Sequence, residues 1–322
     1  MSEKKIKLFR GIKTIITLFA IYGLVQLFIS STSIGEQWKA DDNKQNTHLG
    51  FDAYNATPSI SAPKNMVFSG ETVPLHNPEV YERFDREIIS NTFFHSNTIQ
   101  YFKKANRWFP IIEPILKKNN VPDDFKYLAL IESGLENVVS PAGASGFWQF
   151  MEATAKKFDL EINDEVDERY HLEKSTEAAC KYLTNAYKRY GNWTLAAASY
   201  NAGKNRISTE LEKQKVDSYY QLLLNNETKR YVFRILAIKE LLNNPEVYGF
   251  KIKEEDLYSP IPYTIVKVDT SIADLVDFAK SYNISYKTLK YFNPWLRKPY
   301  LKNLESKEYI IRLPMDKNYY LN

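Results

Sequence analysis

The sequence predicts an all-α, multi-helix body followed by a small α+β module of βααβ order, with an apolar segment ahead of both. Three observations carry that reading. From about residue 78 to 244 apolar side chains recur at helical spacing, and no alternating run interrupts them. After a charged, proline-bearing stretch the pattern changes: two strand-like runs, residues 263–268 and 308–314, bracket two short helical ones. Near the start, residues 14–29 (TIITLFAIYGLVQLFI) are uncharged and apolar, with positive charge on their N-terminal side alone. The chain therefore divides into a basic start and membrane segment (1–34), a linker (35–74), a helical domain (75–250), a second linker (251–261) and the module (262–316).

The charge asymmetry around the apolar run puts the N-terminus in the cytoplasm and everything after the run across the membrane. The run is shorter than the ~20 residues of a comfortable span and slightly longer than the ~7–15 of a cleaved signal. Extension from Ile12 to Ile34 reaches spanning length, and no small-x-small cleavage site follows closely, so an uncleaved inner-membrane anchor with a periplasmic body is expected. Cleavage would release the same body into the periplasm. Residues 31–70 are rich in Ser, Asn, Thr, Asp and Pro and read as a linker that gives the body reach.

Of the formal net charge of +4, Lys4, Lys5, Lys7, Arg10 and Lys13 against Glu3 already supply all four. The rest of the chain is therefore about neutral. A neutral body lacks the clustered cations that phosphate neutralisation demands, which argues against nucleic acid. With 14% aromatic residues it suits a neutral polymer better, because sugars stack on aromatic faces. The single cysteine, Cys180, leaves no pair for an intramolecular disulfide and reads as a small buried filler.

Within the body, Ala179, Tyr182, Leu183, Ala186 and Tyr190 form one helical stripe, with Ser175 placed as its N-cap and Gly191 just past its end. A second helix runs from Trp193 to Ala202 and stops at Gly203. A third carries Tyr231, Ile235, Ile238 and Leu242. Ile99, Phe102, Trp108 and Phe109 belong to another helix, ended or kinked by Pro110 and Pro114.

The stretch PDDFKYLALIES is the most informative. Pro122, Asp123 and Asp124 are helix-start signals, and Phe125, Leu128, Ala129 and Glu132 follow at i, i+3, i+4 and i+7. Glu132 thus lies on the apolar face, at a helix end marked by Ser133-Gly134. Burial and the negative end of the helix dipole both disfavour its ionisation, which suits a carboxyl that must donate a proton. A last-turn glutamate that swings out to water fits the periodicity equally well. The following SPAGASGFWQFM (residues 140–151) is a glycine-bearing loop able to fold against a ligand or simply to turn between helices. In ASYNAGKNRI, Tyr200 and Asn201 stand at a helix end, where an ordinary C-cap is the plainer reading.

Taken together, IESGLENVVSPAGASGFWQFM, SYNAG and ETKRYVFRI make the region from about 78 to 245 resemble the lytic transglycosylases of the Slt and goose-type lysozyme superfamily. The resemblance implies a lysozyme-like helical fold with a cleft. It implies Glu132 as the single acid/base, Ser140 as a contact to the substrate's N-acetyl group and Gln149 as a contact to the neighbouring sugar. It further implies Tyr200 and Asn201 at the site, the Tyr200 hydroxyl orienting the catalytic carboxyl, and Glu227 and Tyr231 in a fourth motif that supports the cleft. Two features depart from the family pattern. The stretch from Glu132 to Ser140 is one residue shorter than the commonest form, and Phe147-Trp148 stand where Leu-Met often occurs.

The implied chemistry needs no metal and no cofactor. Glu132 protonates the bond between N-acetylmuramic acid and N-acetylglucosamine, the acetamido oxygen stabilises the cation, and the carboxylate then takes the proton of the muramyl C6 hydroxyl as a 1,6-anhydro ring closes. An ordinary glycosidase needs two carboxyls at the bond. Glu136, Glu152, Asp164 and Asp167 do not stand out as a second. A hydrolytic muramidase of the same fold and a silent wall-binding scaffold remain the alternatives. The C-terminal module resembles a LysM carbohydrate-binding module, with Val268-Asp269 where Gly-Asp is often found. It is expected either to hold N-acetylglucosamine-containing strands or to serve as a structural cap. Peptidoglycan glycan strands are thus the expected partner, and a monomer is expected.

Overall fold

The computed structural model describes residues 59–316; the basic start, the apolar run and the linker as far as residue 58 lie outside the described residues, as do residues 317–322. Among the described residues no helix is long and apolar enough to cross a membrane. The end of the predicted linker is not free chain. A hairpin of β1 (Val67–Phe68) and β2 (Glu71–Thr72) folds onto the body. Alternation explains it: Met66, Phe68, Val73 and Leu75 all point inward and are buried. The Phe68 ring meets the edge of Phe125 at 5.4 Å.

Helix α1 (Pro78–Phe93) starts where the sequence demands, with Pro78 in the first turn and the Asn77 side chain accepting from the Glu79 N–H. Helix α2 (His95–Lys118) differs from expectation, since it runs through both Pro110 and Pro114. The two rings lie on the exposed side while Ile112 and Leu116 are fully buried. Each such burial is worth roughly 1.5–3 kcal/mol, which offsets the lost backbone bonds. A 3-10 turn (Asp123–Phe125) leads into α3 (Lys126–Ser133), closed by Gly134 at φ 62°. Helix α4 (Glu152–Lys157) is a short bridge to α5 (Leu172–Tyr190). Ser175 is not the cap of α5. Its hydroxyl donates to the Leu172 carbonyl inside the first turn, because the buried Leu172 starts the helix earlier.

Helix α6 (Trp193–Ala202) is apolar all round, with Ala196, Ala197 and Ala198 fully buried, and so it occupies the middle of the body. It packs against α5, α7 (Lys204–Gln214) and α8 (Asn226–Asn243), and α8 in turn packs against α1 and α3. The Glu71 carboxylate accepts from the Trp193 and Thr194 N–H groups, so the hairpin caps this central helix. Cys180 is buried within α5, and burial pushes its thiol up to about 12.

The module has the predicted order: β3 (Tyr263–Val268), α9 (Leu275–Ser281), α10 (Tyr286–Phe292) and β4 (Tyr309–Pro314). The strands pair antiparallel, with Tyr263 opposite Pro314 and Val268 opposite Tyr309. Leu275, Leu289, Leu296 and Ile311 form a dry centre. That centre is completed by Val166 and Tyr170, which belong in sequence to the helical body.

Candidate active site

Glu132 occupies the last turn of α3, half-buried between α8 and the glycine-bearing loop. Phe125, Leu128, Ala129 and Leu130 are fully buried around it, so the helix has one way to sit and the carboxyl has one direction to take. Its Oε1 accepts a hydrogen bond from the Tyr231 hydroxyl, reached from α8. Burial pushes the carboxyl above the ordinary glutamate value, while the Tyr231 hydrogen bond and the Arg234 charge pull it down without cancelling the rise. The Glu227 charge adds to the rise. Arg234 is held close by donating to the Ile131 carbonyl at 3.0 Å.

The hydroxyl that reaches Glu132 is thus Tyr231's, whereas the family resemblance assigns that task to Tyr200. The Tyr200 hydroxyl donates to the Trp148 carbonyl at 2.8 Å. Its ring is wedged edge-on between Trp148, Phe150 and Tyr182, a packing that fixes where the hydroxyl points. Burial raises its pKa well above the ordinary value and the Glu132 charge raises it further, so it stays a neutral donor. Tyr231 is fully buried and is raised in the same way. Asn201 is held at both ends: its amide nitrogen donates to Glu227 at 2.9 Å, and its oxygen accepts from the Thr228 hydroxyl at 2.8 Å. Glu227 is exposed at the start of α8.

Ser140 and Gln149 stand on the loop between α3 and α4. Ser140 closes a tight turn, its N–H donating to the Ala144 carbonyl and its Oγ accepting from the Ala144 N–H. Gln149 sits at φ 48°, a left-handed backbone that costs of order 1 kcal/mol for a non-glycine residue. Two hydrogen bonds from its amide nitrogen, to Val138 and Gly146 carbonyls, hold it there. With that nitrogen committed, Oε1 is the atom it can offer to a hydroxyl or amide of a ligand. The Ser133 hydroxyl, one residue beyond Glu132, donates to the Phe147 carbonyl at 2.8 Å and ties the acid's helix to the loop. Trp148 anchors the far side, its indole donating to Thr176 on α5 at 2.8 Å.

Sequence reasoning missed Arg169. Its guanidinium donates to Asp167 through two nitrogens and to the carbonyls of Gly143 and Phe150 through a third, at 3.1 and 3.3 Å. Gly146 passes directly beneath it: at φ +79° a Cβ there would lie 1.9 Å from the Arg169 carbonyl oxygen. The signal available was Gly146 itself, a residue that permits close backbone approach. Of the acidic residues considered as a second carboxyl, Glu136 pairs with Lys104 and Glu152 with Lys156. Asp167 is committed to Arg169, and Asp164 lies in the same loop segment. Among the described residues no cluster of His, Cys, Asp or Glu is placed to hold a metal ion.

Residues 109–223 match the family described as transglycosylase SLT domain, and residues 264–317 match the soluble lytic transglycosylase C-terminal LysM-like domain. Membrane-bound lytic murein transglycosylase D of Escherichia coli (strain K12) is 28% identical over 235 residues, covering 70% of this chain and 50% of that protein. Soluble lytic murein transglycosylase of Salmonella typhimurium (strain LT2) is 32% identical over 109 residues, covering 31% of this chain and 17% of that protein. The chain therefore spans about half the length of the first relative and less of the second.

Proposed function

We propose, for a chain that carries a transglycosylase SLT domain ahead of a LysM-like domain and is homologous to membrane-bound lytic murein transglycosylase D, that it is itself a peptidoglycan lytic transglycosylase with Glu132 as its acid/base. The observation that supports this best is a carboxyl at a helix end whose burial favours the protonated form and which a single neutral phenol, Tyr231, holds in place.

Glu132 begins protonated and delivers its proton to the glycosidic oxygen between N-acetylmuramic acid and N-acetylglucosamine. The bond to the muramyl C1 breaks, and the substrate's acetamido oxygen shares the positive charge that develops there. Glu132, now a carboxylate beside the Arg234 charge, removes the proton of the muramyl C6 hydroxyl as that oxygen closes on C1. The product is a 1,6-anhydro ring, the acid is regenerated and no water is consumed. Ser140 and Gln149 on one side, and Asn201 on the other, bind the flanking sugars in this reading. Tyr200 holds the loop through Trp148. Tyr231 fixes the carboxyl and Glu227 fixes Asn201.

The same reading places the body in the periplasm as a monomer, tethered to the inner membrane by residues 1–34 or released after cleavage, with the LysM-like domain bound to glycan strands. A second reading, a hydrolytic muramidase, draws on Glu227, the nearby carboxylate whose charge acts on Glu132. Digestion of sacculi with residues 35–322 and mass analysis of the fragments separates the two, because the anhydro product is lighter by one water. Glu132→Gln is expected to abolish fragment release while the fold survives; near-normal turnover by a folded Glu132→Gln protein would falsify the assignment.

A further inference from the structure

The LysM-like module is tied to the helical body by the Glu173–Arg312 ion pair and by a longer seam that lies directly behind the site loop. Residues 161–170 form the seam. Val166 and Leu296 make an antiparallel bridge, the Asp167 N–H donates to the Trp295 carbonyl at 2.9 Å, and the Arg297 N–H donates to the Glu165 carbonyl at 2.6 Å. Side chains repeat the pattern: Glu165 accepts from the Lys302 N–H, and Glu161 accepts from the Tyr309 hydroxyl. Val166 and Tyr170 bury themselves in the module's core, and the Arg297 guanidinium lies 4.2 Å from the centre of the Tyr170 ring.

Between those two anchors stand Asp167 and Arg169, 7% and 8% exposed. Asp167 faces both ways. Its backbone N–H is bonded to the module and its carboxylate grips Arg169. Arg169 then carries the connection to Gly143 and Phe150, the two ends of the segment that bears Gly146 and Gln149. Ser145 and Phe150 exchange a pair of backbone bonds, and the arginine adds two more from the body side, one to each end of the segment. A planar fork with fixed donor directions transmits position where a flexible ammonium would not.

We propose that Arg169 is a positioning residue for the reaction, and that the LysM-like module, acting through Asp167, sets the geometry of the loop carrying Ser140 and Gln149. The inference rests on the transglycosylase reading above. The module in this role completes the site mechanically, whatever sugar it also binds. Arg169 itself touches no substrate; it fixes the backbone from which the sugar-binding groups project. A displacement of about 1 Å in such groups is enough to lower turnover by roughly 100-fold.

The test uses residues 35–322 with Arg169→Met, Arg169→Lys and Val166→Ala, assayed on soluble uncrosslinked peptidoglycan strands below the melting midpoint of each variant, with rates expressed per folded molecule. Arg169→Met is expected to lower kcat by roughly 10- to 100-fold while KM stays within about 3-fold, and Arg169→Lys to recover part of that loss. Val166→Ala, on the module side of the seam, is expected to lower kcat several-fold and to speed hydrogen exchange at the Gly146 and Gln149 amides while leaving α5 protected. The proposal is overturned if folded Arg169→Met turns over normally. It is overturned equally if Arg169→Met cannot be isolated folded and Val166→Ala leaves both exchange and kcat unchanged. Loss of activity in Glu132→Gln together with normal Arg169→Met removes this inference alone, whereas an active Glu132→Gln removes the reaction assignment beneath it.

Discussion

Glu132 and Glu173 start from the same chemistry and end at opposite extremes. Both lose water on folding, and in each case that loss is the largest influence, pushing the carboxyl up. Around Glu173 two side chains answer it. Arg312 of the module forms an ion pair with one oxygen, and His171 Nδ1 stands 3.4 Å from the other, so that the carboxyl is held at about 2. Glu132 has a neutral phenol and a more distant Arg234, and it ends above the ordinary value. The helices add to the contrast: Glu173 sits in the first turn of α5, where the dipole favours an anion, and Glu132 in the last turn of α3, where it does not. What separates the raised carboxyl from the depressed one is therefore which neighbours replace the lost water. Burial itself is common to both.

Removing the Tyr231 donor from Glu132 should sharpen the contrast most. Tyr231→Phe deletes the hydrogen bond that favours the carboxylate, so the carboxyl should move further up. Activity that depends on a protonated Glu132 falls as pH rises through its pKa, and in Tyr231→Phe that limb of the kcat/KM profile should shift to higher pH. The maximum should drop by roughly 10- to 100-fold, since the carboxyl also loses the group that aims it. A pH–rate series on both proteins checks this, and a limb that stays put or moves down would show that the phenol does not tune the acid.

The opposite experiment is to strip Glu173 of its charge. Glu173→Gln leaves Arg312 without its carboxylate at the face between α5 and the sheet, beside a cleft of about 480 Å³. Both side chains are mostly shielded, at 25% and 17% exposed, so the loss should be about 1–3 kcal/mol at pH 7. A carboxyl depressed by folding contributes stability above its unfolded pKa and loses it as pH falls through the folded one. The gap between wild type and Glu173→Gln in denaturant melts should accordingly be full at pH 7 and close between about 4.5 and about 2. A gap that is constant over that window would mean the residue acts through packing alone.

Of this contrast the sequence shows the Glu132 side and not the Glu173 side, and the unread parts have a common cause. The place of Glu132 on the apolar face was legible because i, i+3, i+4 and i+7 spacing turns a helix face into a direction, although that spacing left its role open, and the module's strands were legible because alternation does the same for a sheet. The donor to Glu132 was not, because Tyr231 lies 99 residues away and only the packing of α8 against α3 brings it there. The bond from the Tyr200 hydroxyl to the Trp148 carbonyl was not legible for the same reason: three aromatic neighbours decide where that hydroxyl points. Residues 59–74 read as linker because Met66, Phe68 and Val73 are sparse in a polar stretch, though with Leu75 they alternate correctly for a buried hairpin. Val166 and Tyr170 could not be assigned to the module at all, since a core shared across more than a hundred residues leaves no local pattern.

The smallest effect tests the claim about Glu132 without any substrate. A carboxyl raised by folding gives its full stability below its unfolded pKa, and that stability is lost as pH rises through the folded value. At pH 8, where an unfolded glutamate is ionised, the native protein therefore carries a cost at Glu132 that Glu132→Gln does not. The variant should melt higher than wild type there, by roughly 1–4 °C for a protein of this size. As pH is lowered past the ordinary glutamate value near 4.5 the wild-type carboxyl is protonated in both states and the difference should vanish. The lost hydrogen bond from Tyr231 works against the gain, but a glutamine Oε1 accepts the same bond and keeps that contribution small. Differential scanning at pH 8, 6 and 4 measures the trend. If Glu132→Gln instead melts lower at pH 8 and the gap widens with pH, the carboxylate is stabilised where it sits, and a group so stabilised has no reason to give up a proton to a sugar oxygen near neutrality.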